Sequence, residues 1–116
     1  SKNTICFLQD DKIDKMIIDP QKFGLRQATI RDLQISTKKD AIQAFISVLD
    51  GTANQSMIEI TALNSAAGLV VGNVVKDLEE GLQMSLHSIT SGKAFSHFDS
   101  FIRNCGDHDK IKEIQQ

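Results

Sequence analysis

The sequence predicts a β-hairpin followed by about four α-helices, a piece of a larger α/β architecture. Three observations carry this. Two short β-branched and apolar runs, "TICFLQ" (4–9) and "IDKMII" (13–18), flank the polar "DDK". Further on, apolar residues recur at helical spacing in segments closed by glycine. Between those segments lies "ALNSAAGLVVG" (62–72), uncharged throughout and mostly small. That run is too short for a bilayer, which takes roughly 20 apolar residues, so it predicts a helix buried against protein.

Each element has its own punctuation. Pro20 ends the second strand because it lacks an amide donor, and "PQKFGL" predicts a turn with Gly24 at positive φ. "TKKDAIQAFISVLDG" predicts a helix with Thr37 as N-cap, Asp40 three residues on, and Ile42, Phe45, Ile46 and Leu49 on one face; Gly51 stops it. The next helix, about Ser56 to Val71 and ending at Gly72, is apolar nearly all round and so predicts burial on several sides. Its Ala62, Ser65, Ala66, Ala67 and Gly68 are too small to fill space and predict close backbone approach to a neighbour. "DLEEGLQMSLHSITSG" repeats the capping pattern with Asp77 and Glu80, buries Leu78, Leu82, Ser85 and Ile89, and ends at Gly92. "KAFSHFDSFIRN" gathers Phe95, Phe98, Phe101 and Ile102 on a stripe. Residues 104–116 form a mostly charged and polar tail, for which a frayed helix and a disordered segment both stand.

Composition narrows the function classes. The chain has 116 residues, the size of one domain, with 41% apolar content. A formal charge of −2, with Lys and Arg scattered among Asp and Glu, gives no basic stripe, so neither nucleic acid nor membrane is an expected partner. Cys6 and Cys105 lie far apart with no C-x-x-C, signalling neither a zinc site nor a disulfide framework and fitting a reducing cytoplasm. The opening "SKNTICFLQ" has no initiator Met, signal-peptide core or transit-peptide composition, and it suggests a cut chain. Two short strands and a few one-faced helices are also too little to cover the central helix and complete a sheet, so the chain is expected to be part of something larger.

Residues that invite a site assignment have structural explanations. His87 and His97 sit on helices without a convergent second ligand, and His108 lies in the tail. Asp10 with Asp11 belongs to a turn, and Glu79 with Glu80 to a first helical turn; adjacent carboxylates point apart, whereas acid–base catalysis needs convergence. "GTANQS" has one glycine and no following lysine, unlike a phosphate loop. Asn64 is expected to be buried and bonded to a neighbouring backbone group, with a role near substrate as the alternative, and Cys6 to be a core strand thiol. No catalytic, cofactor-binding or metal-ligating residue is assigned.

"MIIDPQKFGL", "ATIRDL", "SVLDG", "ALNSAAGLVVG" and "DLEEGLQMSLHSITSGKAFSHFDSFI" follow one another in an order that resembles the C-terminal stretch of the anthranilate phosphoribosyltransferase family, over about residues 4–103. The proline-to-FGL turn, the Leu-Asn-x-Ala-Ala helix and the succession from Glu80 to Ala94 are the most specific pieces. The resemblance implies residues 1–103 as the C-terminal portion of an α/β phosphoribosyltransferase domain. Its partners would be the rest of the same polypeptide, and the intact protein is expected to be a homo-oligomer. The family transfers the phosphoribosyl group of phosphoribosyl pyrophosphate to anthranilate in tryptophan biosynthesis, with magnesium neutralising the departing pyrophosphate. Its glycine-rich loop, Lys-x-Gly-Asn-Arg segment and magnesium-binding Asp-Glu pair lie N-terminal to this region and have no counterpart here. The resemblance therefore implies a chain that is inactive alone and binds no magnesium itself. It departs from the family at "NQSMIE", where a basic residue and Asp are usual. A stand-alone interaction module and a piece of a pyrimidine nucleoside phosphorylase, which shares the fold, remain as alternatives.

Overall fold

A computed structural model describes residues 1–115. Strands β1 (Asn3–Gln9) and β2 (Lys12–Ile18) pair antiparallel, from Asn3 opposite Ile18 to Gln9 opposite Lys12. The turn is Asp10–Asp11 alone, with φ of 51° and 61°. Two left-handed residues match the twist of the flanking strands, and Asp tolerates that conformation better than most side chains. Direct partners share a face. The inner face carries Ile5, Phe7, Met16 and Ile18, of which Ile18 is buried; the outer face carries Thr4, Cys6, Leu8, Ile13, Lys15 and Ile17, all exposed. Cys6 is therefore not the core thiol expected from its strand context. The outer face of the pair has no cover among the described residues, and alternation puts Cys6 there.

Asp19 accepts a hydrogen bond from the Gln21 amide and opens a 3-10 turn over Pro20–Phe23 that closes at Gly24, φ 75°. A short helix, α1 (Ile30–Leu33), follows; the Asp32 carboxylate takes both the amide and the hydroxyl of Thr29. Helix α2 (Lys38–Leu49) begins as expected, with Thr37 Oγ1 accepting from the Asp40 amide at 3.1 Å. Its core side chains are Ile46 and Val48, whereas Phe45 is half exposed and meets Phe98 edge to face, ring centres 5.3 Å apart. Gly51, φ 78°, turns the chain into α3 (Gln55–Val71), capped by the Asn54 side chain on the Met57 amide.

Helix α4 (Leu78–Thr90), capped by Asp77 on the Glu80 amide, answers what the small-residue run is buried against. Gly81 lies so near Ala66 that a Cβ there would come within 3.0 Å of its Cα and carbonyl oxygen. Ile58 and Ile89 share one cluster while Ala66 and Leu82 share another, so the two helices run antiparallel. Ala62 and Ala66 are fully buried, whereas Ser65 and Gly68 are exposed: one stripe of α3 is closely packed, and burial does not extend all the way round. Ser85 falls level with Ala62, and its hydroxyl is buried with no hydrogen-bond partner among the described residues. Asn73, φ 56°, supplies the left-handed residue that closes α3 just past Gly72.

The core is two connected clusters. Leu25, Ala62, Ala66 and Leu82 form one, with Phe23 and Leu78 against it; Val48, Ile58 and Ile89 form the other, and Leu86 touches both. The four expected helices are thus α2, α3, α4 and α5 (Lys93–Cys105). The tail left open between fraying and disorder forms α6 (His108–Gln115), which packs on α2 and is tied to α5. Asp99 takes Arg103 Nε at 2.7 Å and faces His108 Nε2 at 3.2 Å.

Two outcomes follow for unfolding by urea. Gly81→Val should lose roughly 1–3 kcal/mol, because the added carbons meet backbone that cannot swing away. Gly68→Ala, where a Cβ meets nothing within 4 Å, should gain about 0.5–1 kcal/mol from helix propensity. A third concerns acid. The hydrogen bond from Arg103, and then that from His108, hold the Asp99 carboxyl below the usual carboxylate range. Its folded pKa is depressed, so its contribution is full above about pH 3.9 and is lost as pH falls through the lowered value. Amide signals of α6 should weaken over that window in the native chain, and Asp99→Asn should lack that acid step.

Candidate functional site

The base of the hairpin, the segment Leu25–Ile30 and the first half of α3 enclose a cleft of about 400 Å³. Its walls come from Ser1–Asn3 and Asp19–Gln21 on one side, and from Ser56, Glu59, Ile60 and Leu63 on the other. Local structure sets this up. Gly24 redirects the chain after the 3-10 turn, and the Asn54 cap fixes where α3 begins, with Asn54 Nδ2 also donating to the Asp32 carbonyl at 2.9 Å.

Glu59 is the side chain that organises the cleft. It is buried, and its two oxygens have separate tasks: Oε2 accepts from the Arg26 amide at 2.8 Å and Oε1 from Gln55 Nε2 at 3.1 Å. The first bond joins residues far apart in the chain and straps the segment after Gly24 onto α3. Sequence reasoning passed over Glu59. The available signal was an acid standing between Ile58 and Ile60 in an otherwise apolar helix.

The residues weighed from sequence do not converge. His87 and His97 are exposed, and His108 faces Asp99. Asp10 and Asp11 form the hairpin turn, while Glu80 reaches back to the Lys76 amide at 3.2 Å from the first turn of α4. Asn64 is exposed, not buried: with the helix surface open at that point, its amide donates to the Ile60 carbonyl one turn back at 2.8 Å. Among the described residues no group of three or more His, Cys, Asp or Glu could hold a metal ion. No described helix is long and apolar enough to cross a membrane.

An apolar hairpin that needs cover, joined through a tight turn to closely packed helices, is one segment of an α/β domain. Residues 1–95 match the family model described as "Glycosyl transferase family, a/b domain", and the chain belongs to that family. Within it, the chain is 48% identical over 114 residues to the anthranilate phosphoribosyltransferase of Nitrosopumilus maritimus (strain SCM1), covering 98% of this chain and 33% of that protein. It is 31% identical over 116 residues to the enzyme of the same name from Cenarchaeum symbiosum (strain A), covering 100% and 34%. Against that of Petrotoga mobilis (strain DSM 10674 / SJ95) the figures are 32% over 101 residues, 87% and 29%. The chain spans about a third of the length of the curated relatives it matches. No solved structure matches it.

Glu59→Ala should free the Arg26 segment. Removing a buried acceptor from a backbone amide costs about 1–3 kcal/mol, so hydrogen exchange at the Arg26 amide should quicken. Asn64→Ala, which removes only a bond within the exposed surface of α3, should leave that exchange unchanged.

Proposed function

We propose that this chain is part of an anthranilate phosphoribosyltransferase, an enzyme transferring the phosphoribosyl group of phosphoribosyl pyrophosphate to anthranilate in tryptophan biosynthesis. The observation that carries the reading is 48% identity along 98% of the chain to a protein of that name. On this reading the chain's role is structural. The α3–α4 contact and the Glu59 strap hold one flank of the α/β domain in shape, and substrate-binding groups come from the rest of the polypeptide. The intact protein works in the cytoplasm as a homo-oligomer.

Magnesium, which the family resemblance implies, does not fit the residues present: the described carboxylates and histidines are dispersed in turns, caps and helix surfaces. The metal would be held outside this chain. The hydrogen-bonded acids instead have backbone work. Asp19, Asp77 and Glu59 each satisfy an amide that a turn or helix start would otherwise leave open.

The test is reconstitution. The chain alone should show no loss of anthranilate fluorescence with phosphoribosyl pyrophosphate and magnesium. Joined genetically to the part of the Nitrosopumilus maritimus relative that it does not match, it should consume anthranilate. Turnover by the chain alone would overturn the structural role, and a folded but inactive fusion would overturn the assignment.

A further inference from the structure

The sequence contains a single Asp-Gly step, Asp50–Gly51, and both residues stand exposed in the turn between α2 and α3. Glycine after aspartate favours spontaneous isomerisation, because no Cβ hinders attack by its nitrogen and its backbone turns freely toward the preceding side chain. The Gly51 nitrogen bonds to Asp50 Cγ and gives up its proton, while a Cγ–O bond breaks and water leaves, closing a cyclic imide. Water then opens the imide at either carbonyl. Opening at Cγ restores aspartate; opening at the main-chain carbonyl leaves isoaspartate, whose backbone runs through Cβ and Cγ. The mass is unchanged, and no oxidant or reductant takes part.

In the folded chain both reacting groups are held. The Gly51 amide donates to the Val48 carbonyl at 3.2 Å and the Asp50 amide to the Ile46 carbonyl at 3.0 Å, which keeps Asp50 helical at φ −87°, ψ 0°. Asp50 Oδ1 accepts from the Thr52 amide at 3.0 Å and from the Thr52 hydroxyl. Thr52 is itself anchored to α2, since its amide also donates to the Ser47 carbonyl at 2.8 Å, and the Ala53 amide reaches the same carbonyl at 2.9 Å. A side chain bonded to the backbone ahead of it has its torsion fixed. For the ring to close, the Asp50 carboxylate has to leave Thr52 and the Gly51 nitrogen has to leave Val48.

We propose that Asp50–Gly51 is the isomerisation site of this chain, and that Thr52 is the positioning residue that keeps it closed. Conversion there has a structural consequence. Val48 before the turn and Ile58 after it meet Ile89 in one cluster, and a Cβ on Gly51 would lie 3.7 Å from Ile89 Cγ2. An additional backbone carbon lengthens the link between Val48 and Ile58 at a point already in contact with α4, so the converted chain should melt below the native one.

The experiment incubates the purified chain at neutral pH with mild warming. It follows the peptide holding residues 50 and 51 by chromatography and mass spectrometry, where the isoaspartyl form elutes apart at unchanged mass. The native chain should convert at Asp50 before any other residue, and faster in urea than when folded. Asp50→Glu, whose longer side chain does not close the same ring, should show no second peak at that position. Thr52→Val, folded, should convert about fivefold faster or more, the scale of one lost hydrogen bond. Thr52→Ser keeps the hydroxyl and should stay near the native rate. Melting curves recorded beforehand establish which variants are folded, and Thr52→Ala serves if Thr52→Val is not. Equal conversion in the folded variants lacking the hydroxyl would overturn the role of Thr52, and so would slower conversion, which would mean that the hydroxyl assists departure of the carboxyl oxygen. Conversion appearing first at another residue, or a folded native chain converting as fast as the chain in urea, would overturn the proposal whichever variants fold.

Discussion

The structure depends on how closely α3 and α4 approach at Ala66 and Gly81. With no Cβ at 81 and only a methyl at 66, the backbones meet at a distance that larger residues forbid. That approach sets the register of the pair, which aligns Leu82 with the Leu25 cluster and Ile89 with Ile58 and Val48. Helix α2 packs through Val48 against Ile58 of α3 and Ile89 of α4. Ser85 lies on the same buried side of α4 as Gly81 and Leu82, its hydroxyl without a hydrogen-bond partner among the described residues.

Glu59 links this helical body to the hairpin. A buried carboxylate is costly unless its oxygens are satisfied, and here a backbone amide and a side-chain amide satisfy them. Because the amide belongs to Arg26, just past the turn at Gly24, the bond fixes the direction of the chain between sheet and helices. The cleft beside it follows from that crossing, with the hairpin base as one wall and α3 as the other.

The chain is more open than its length requires. Its radius of gyration is 15.9 Å, against roughly 13 Å for a compact chain of this size. The excess corresponds to faces left uncovered: the outer hairpin, and the α2–α5 side where Phe45 and Phe101 stand half exposed. The chain belongs to an α/β glycosyl transferase family and spans about a third of the length of the curated relatives it matches.

Short-range chemistry made much of this legible in advance. Thr37 and Asp77 cap the helices assigned to them, Gly24, Gly51 and Gly92 take positive φ where helices or turns end, and the hairpin turns at its aspartates, because each of these interactions closes within a few residues. The order of those segments also carried the family resemblance. What depended on distant neighbours was decided only in three dimensions. Cys6 and Asn64 have apolar surroundings in sequence yet lie exposed, since local hydrophobicity does not say which face of a strand or helix receives cover. Phe45 stays half exposed against Phe98 while Val48 joins Ile58 and Ile89 in the core, a division that depends on which neighbours reach each side of α2. Glu59, unremarkable in the sequence, becomes the brace of the cleft because its acceptor's partner, the Arg26 amide, lies 33 residues away and comes within reach only when the chain has folded back.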